Sequence, residues 1–312
     1  MSINYFKVKY HAITIKSNLK LYSTFNLKMN LTYDTVLVDT NTISRTCYEV
    51  YDQETQHNSY SSESERAEEL KKDAVRMAKH YLHLPFLNKI FCKKQIWLTD
   101  YKPYWRKFIF PEYKGNRPPI TGEMMNYLEH FAEAVNALSY THYEADDLIA
   151  AYIRLNELKE EKDQERILIA SVDSDLLQLT SKNTSWICTK GYFPQLRTVD
   201  YGFSLWFEDK IKFLGKKKKE QINITNPLHI IEYKVMCGDY SDNIKMKNTS
   251  PELRRLLIDL RNPPKEYDAI NLPYLLENFE NYTKPINLID SPDFYSQYGI
   301  KTNLVFPTRM YQ

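Results

Sequence analysis

No two of the four cysteines in this 312-residue chain form a C-x-x-C pair. Cys47, Cys92, Cys188 and Cys237 are scattered, which excludes a zinc ribbon and a thioredoxin-type redox motif and leaves free thiols in a reducing compartment. No apolar run approaches the ~20 residues that cross a bilayer, and the first residues lack a signal peptide's apolar segment. The chain therefore reads as soluble and cytoplasmic, with no membrane partner. A dominant charge is missing too, since the formal net charge is only +2. A hydrophobic share of 43% against 26% charged residues excludes a disordered chain. This length buries a full core, as one large or two smaller domains.

What the chain does have is carboxylates in telling places. "YEADDLIAAYI", residues 143–153, sets Glu144, Asp146 and Asp147 beside an apolar run. Acids in a first helical turn cap the helix and favour its dipole. Capping needs one or two, and a third points to a cation nearby. On a helix Glu144 and Asp147 share a face while Asp146 points elsewhere.

Three short β-branched or apolar runs end the same way: "TVLVDTN" delivers Asp39, "IWLTD" Asp100, and "ILIASVDSD" Asp173 and Asp175. Helical patterns at 64–83, 121–139 and 144–159 separate or follow them. Buried strands alternating with helices predict an α/β fold, a parallel central sheet with helices on both faces. Such sheets bind ligands beyond the carboxyl ends of their strands. One Asp after a strand is ordinarily a turn or cap residue, but here every strand end carries one. "EYKVMCGDYSDNIK" adds a helix ending at Gly238 and a turn with Asp239 and Asp242. So many like charges need compensation by hard divalent cations, and Mg²⁺ shares carboxylates with substrate phosphates. With the acids gathered in one site, the remaining surface is basic and suits a polyanion.

In this order, "LVDTN", "LTD", "YEADDLIA", "SVDSDLLQL" and "GDYSDNI" resemble the 5′ nuclease superfamily of flap endonucleases, 5′-3′ exonucleases and the T-even-type phage ribonuclease H. "YWRKFIFPEYKGNRP" strengthens the likeness with its Arg and Y-K-x-N-R segment, and the similarity runs from about Thr35 to Ile244. The resemblance implies a PIN-like core and a helical helix-three-turn-helix-type C-terminal region. It implies Mg²⁺ as cofactor in two sites, with Mn²⁺ as a substitute. Asp39, Asp100, Asp146 and Asp173 match the first metal's ligands, with Glu144 assisting. Asp175, Asp239 and Asp242 match the second set, and Asp147 matches a position acidic only in some branches. Lys114, Arg117 and Arg106 match basic residues near the scissile phosphate, with Tyr113 as a stacking surface.

The chain departs from the family where a glycine-rich hairpin normally follows "GDYSDNI". "KMKNTSPELRRLLIDL" contains no glycine, so the close backbone grip on duplex phosphates and the bound K⁺ of that element lose their basis. Asn248, Thr249 and Ser250 form the turn and cap a helix from Pro251, with Lys245, Lys247, Arg254 and Arg255 as nucleic-acid contacts. The T-even branch shares this departure and is the closest in resemblance.

Three regions follow. Residues 1–33 are a polar extension with a strand-like "HAITIK", 34–208 the metal-binding core, and 209–312 the helical DNA-binding region. The lysine run at 210–219 reads as a solvated loop, with salt-dependent backbone contact as its alternative. "FYSQYGIKTNLVF" reads as a docking contact or a clamp-binding tail.

The expectation is a monomeric Mg²⁺-dependent 5′-3′ exonuclease or flap endonuclease with ribonuclease H activity, acting on DNA flaps or ends and RNA·DNA hybrids. Primer removal in replication is its role, phage-encoded in a bacterial host, with a sliding clamp or single-strand-binding protein as further partners. The alternatives are a PIN-type single-strand ribonuclease, which "GDYSDNI" disfavours, and a catalytically silent nucleic-acid-binding protein, which the retained acids disfavour.

Overall fold

The structure, a computed structural model, describes residues 32–82, 91–189, 195–197 and 227–268. "HAITIK", the lysine run and the C-terminal tail lie outside the described residues. Strand β1 (Thr32–Asp39) leads into helix α1 (Thr40–Thr55), then α2 (Glu63–Leu82), β2 (Phe91–Leu98), the short α3 (Trp105–Ile109), α4 (Gly122–Ala134) and α5 (Ala145–Glu157). Strands β3 (Ile167–Ser171), β4 (Thr184–Cys188) and β5 (Gln195–Arg197) complete the sheet, and α6 (His229–Cys237) and α7 (Pro251–Ile258) follow. The strand order is β2-β1-β3-β4-β5. The first four strands run parallel, and β5 pairs antiparallel with β4.

The two-residue period of a strand separates the cores. Val36, Val38, Trp97, Leu168, Ala170 and Ile187 turn to one face, where Tyr48, Ala74, Tyr127 and Phe131 of α1, α2 and α4 cover them. Leu37, Ile96, Leu98, Ile167, Ile169 and Trp186 turn to the other, against α5 and α6. The expected parallel sheet with helices on both faces is therefore present. Tyr33, placed by the sequence pattern in the N-terminal extension, is buried in the first of these cores.

Helix α4 stops earlier than its pattern over 121–139 implies. Asn136 takes a left-handed backbone (φ 51°), and Leu138 bridges alongside Leu98, accepting from Thr99 N at 2.9 Å and donating to Trp97 O at 2.7 Å. Extending the sheet buries Leu138 where another helical turn leaves it outside. Among the described residues no helix is long and apolar enough to cross a membrane.

Helices α6 and α7 flank the glycine-poor turn. Gly238 ends α6 at φ 79°, and Asp239 and Ile244 close the turn by exchanging two 2.8 Å backbone hydrogen bonds. Ser250 caps α7, accepting from Leu253 N at 3.1 Å.

Candidate metal centre and its basic surround

Parallel register brings the acids together. Asp39 ends β1 opposite Leu98 of β2, and Val38 lies opposite Ala170 of β3. The segments leaving β2 and β3 therefore carry Asp100 and Asp173 to the place where β1 delivers Asp39. Helix α5 brings its N-terminus to the same edge, where the Ala145 N–H donates to Asp100 Oδ1 at 2.9 Å.

The carboxylates divide by partner. Asp39 accepts from Ser171 Oγ at 2.8 Å and from Asn41 N at 3.1 Å. Asp100 accepts from Tyr104 Oη at 2.8 Å, and Asp173 from Asp175 N at 2.8 Å. Asp146 has no hydrogen-bond partner among the described residues. None of these four is ion-paired there. Burial and the carboxylates of Asp100 and Asp173 push Asp39 up to about 7. Burial, Asp173 and Asp39 push Asp146 well above the usual carboxylate range, and burial with Glu144 raises Asp100. These are the marks of like charges facing one another, which the nearby Lys114 ammonium offsets only in part at Asp100 and Asp146.

The other five acids are matched by protein cations. Asp147 binds both terminal nitrogens of Arg106, at 2.9 and 2.8 Å, and accepts from Trp105 Nε1 at 3.1 Å and Glu144 N at 3.0 Å. Glu144 accepts from Arg106 and from Tyr113 Oη, each at 2.9 Å, and pairs with Lys114. Asp242 pairs with Arg117, and Asp175 and Asp239 share Lys234.

Burial and protein partners bear on four of the expected contacts. Arg106, expected near the scissile phosphate, is 2% exposed and donates its Nε to Leu257 O at 2.8 Å, so in this structure it braces the site from within the protein. Tyr113 is also 2% exposed, with its hydroxyl on Glu144 and Asp242, and offers no stacking face. Arg254 is buried, its guanidinium donating to the Val235 and Thr249 carbonyls. Asp147, expected among the metal-site acids, is engaged by Arg106 and the helix cap. The remaining basic positions are open: Lys245 and Lys247 line a hollow with Tyr240 and Met246, and exposed Arg255 pairs with Glu232.

Lys114 is the cation at the front of the site. Its backbone is left-handed (φ 54°), held by its N–H donating to Asp242 O at 2.9 Å. Such a conformation costs a non-glycine residue about 1–2 kcal/mol. It delivers the ammonium to Glu144 and within 4.0 Å of Asp242. Arg117 lies beside it, half-exposed.

Sequence reasoning missed Lys234, Tyr104 and Ser171. Lys234 was visible as a charge on the apolar face of α6, spaced with Ile230 and Ile231. Tyr104 and Ser171 carry no local signal, because only the fold turns them onto Asp100 and Asp39.

Among the described residues no three His, Cys, Asp or Glu are arranged to hold a metal ion together. The unpaired set nonetheless fits a hard divalent ion. Its donors are all carboxylate oxygens, and Mg²⁺ keeps several waters and takes only one or two direct carboxylates.

Residues 34–201 match the family described as 5′-3′ exonuclease, N-terminal resolvase-like domain. The 5′-3′ exonuclease of Mycoplasma pneumoniae is 30% identical over 194 residues, 60% of this chain and 57% of that protein. DNA polymerase I of Bacillus subtilis is 33% identical over 149 residues, 46% of this chain and 15% of the polymerase. The chain thus spans less than two thirds of these relatives. Among solved structures, zinc-bound T5 5′-exonuclease is similar at TM-score 0.41 and 18% identity, covering 71% of this chain and 73% of that one. By its matched core, this chain belongs to the 5′-3′ exonuclease family.

Proposed function

We propose that the chain is a divalent-metal-dependent nuclease that cuts phosphodiester bonds from 5′ ends or flaps of DNA and of RNA·DNA hybrids, in primer removal during replication. The observation that carries this is the unpaired set of Asp39, Asp100, Asp146 and Asp173 on four separate elements, in a family of 5′-3′ exonucleases. Those four carboxylates would hold Mg²⁺, which would supply Lewis-acid activation of water and charge neutralisation at the phosphoryl oxygens.

The chain's own residues do the rest. Asp39 and Asp100 are fixed by Ser171 and Tyr104. Lys114 is placed to stabilise charge developing on the phosphate, and Arg117 to grip a neighbouring phosphate with its planar fork. Arg117 exchanges Asp242, and Lys114 its Glu144 and Asp242 partners, for the incoming anion. Lys245 and Lys247 supply backbone contact without base readout.

The test incubates the protein with Mg²⁺ and 5′-labelled flap, nicked duplex, RNA·DNA hybrid and single-stranded RNA, with EDTA as control. Metal-dependent cleavage from the 5′ end of the flap or hybrid is expected. Cleavage confined to single-stranded RNA moves the protein to an RNA-decay role, and binding without cleavage removes the enzymatic reading.

A further inference from the structure

Two carboxylates from separate chain segments meet at one ammonium. Asp175 stands on the six-residue 3-10 helix after β3, Ser174–Leu179, and Asp239 opens the turn after α6. Lys234 Nζ donates to Oδ2 of both. Its side chain is 7% exposed, and that of Asp239 is 8% exposed.

A divalent ion joins carboxylates in the same manner, by occupying the space between them. Without a cation the two like charges face each other partly out of water, Asp175 24% exposed and Asp239 8%, and the Ser241 hydrogen bonds reach Asp239 alone of the pair. The ammonium is not incidental to α6, because a lysine at a core position loses its hydration, a cost that facing anions must offset. Asp239 is further held by the Ser241 N–H at 3.0 Å, and the turn it opens carries Asp242 to Arg117 and Lys114.

We infer that Lys234 is a built-in counter-ion occupying the second cation position, so that the free protein takes up a single divalent ion, at the Asp39–Asp100–Asp146–Asp173 set. This rests on the metal-dependent reading above. Lys234 is thereby a positioning residue: it pins the 239–242 turn to the end of β3 without metal. A second ion between Asp175 and Asp239 must first displace an ammonium whose side chain is only 7% exposed.

The test counts bound Mn²⁺ by electron paramagnetic resonance of the free ion during titration of the nucleic-acid-free protein, alongside thermal melting in EDTA. Wild type is expected to bind one ion. Lys234→Met is expected to bind two and to melt about 10 °C lower in EDTA, with the loss recovered on adding Mn²⁺. Lys234→Arg, which keeps the charge, is expected to stay at one. Two ions of similar affinity in wild type overturn the inference and leave the metal-dependent reading standing; no bound ion overturns both. An unchanged count and melting temperature in Lys234→Met also overturn it. The wild-type count decides the matter should Lys234→Met fail to fold.

Discussion

Arg106 holds Asp147 through both terminal guanidinium nitrogens, at 2.9 and 2.8 Å, and its Nε reaches across to the carbonyl of Leu257. One buried side chain therefore ties the N-terminus of α5 to helix α7. Removing it leaves Asp147 and Glu144 as buried charges short of a partner, at a cost of about 3–5 kcal/mol. Arg106→Ala is expected to lower the melting temperature strongly at every salt concentration. A variant that melts like wild type and only raises KM returns Arg106 to the phosphate.

Asp146 belongs to the unpaired set, and Asp146→Asn removes one of four mutually repelling charges. The metal-free variant is expected to melt higher than metal-free wild type, while its stabilisation by Mg²⁺ shrinks and cleavage is abolished. Melting curves with and without EDTA, run beside the flap assay, check both halves. A variant cleaving at the wild-type rate sinks the ligand assignment.

Lys114→Ala is expected to lower turnover by about a hundredfold or more while leaving substrate affinity near wild type, because its charge acts where the transition state gains negative charge. Single-turnover rates and equilibrium binding in Ca²⁺ separate the two. A loss confined to affinity makes Lys114 a binding contact instead.

Gly238 is required by geometry. A Cβ there stands 2.6 Å from the Ile244 carbonyl oxygen, on a backbone at φ 79°. Gly238→Ala is expected to cost about 1–3 kcal/mol and to shift the turn bearing Asp239 and Asp242, so that cleavage falls more than stability. Denaturant melts and kcat measured on the same preparation test this, and a variant with wild-type values in both excludes it.

A pH dependence arises away from the site. Burial acts to raise Glu165, but hydrogen bonds from Thr35 and Tyr152 together with Lys94 outweigh it and bring the carboxyl down to about 2. Its folded value lies below the unfolded one of about 4.3. Glu165 therefore contributes stability above about pH 4 that is lost as the pH falls toward 2. Glu165→Gln is expected to destabilise the protein at pH 7 by about 1–3 kcal/mol, a difference that narrows at pH 3, below the unfolded value but still above the folded one of about 2. Melts at pH 7 and pH 3 compare the two proteins, and an equal gap at both values removes the assignment.

The parallel sheet, the elements framing it and the acids at its strand ends were legible in the sequence because each rests on a local pattern. Val36, Leu37 and Val38 alternate between two cores by strand geometry alone, and a strand that ends in Asp39 delivers that carboxylate to the edge. The question raised by three acids at the entrance of α5 had two answers at once: Glu144 and Asp147 serve the helix end and Arg106, while Asp146 faces Asp39 and Asp173. Spacing separated Asp146 from the other two but assigned neither group its partner.

Which acids have a cation already was decided by tertiary structure. Arg106, Tyr113 and Arg254 look like substrate contacts in a linear reading, yet the packing of α3, α6 and α7 buries them, and burial determines whether a charge meets solvent, a phosphate or a carboxylate. Lys234 lies far from Asp175 along the chain, and only the docking of α6 beside the turn after β3 sets its ammonium between that residue and Asp239. The sequence by itself determined the chemistry available, a ring of carboxylates with basic neighbours. The fold determined the pairing, because electrostatic energies depend on distance and desolvation, and neither is written in the order of residues.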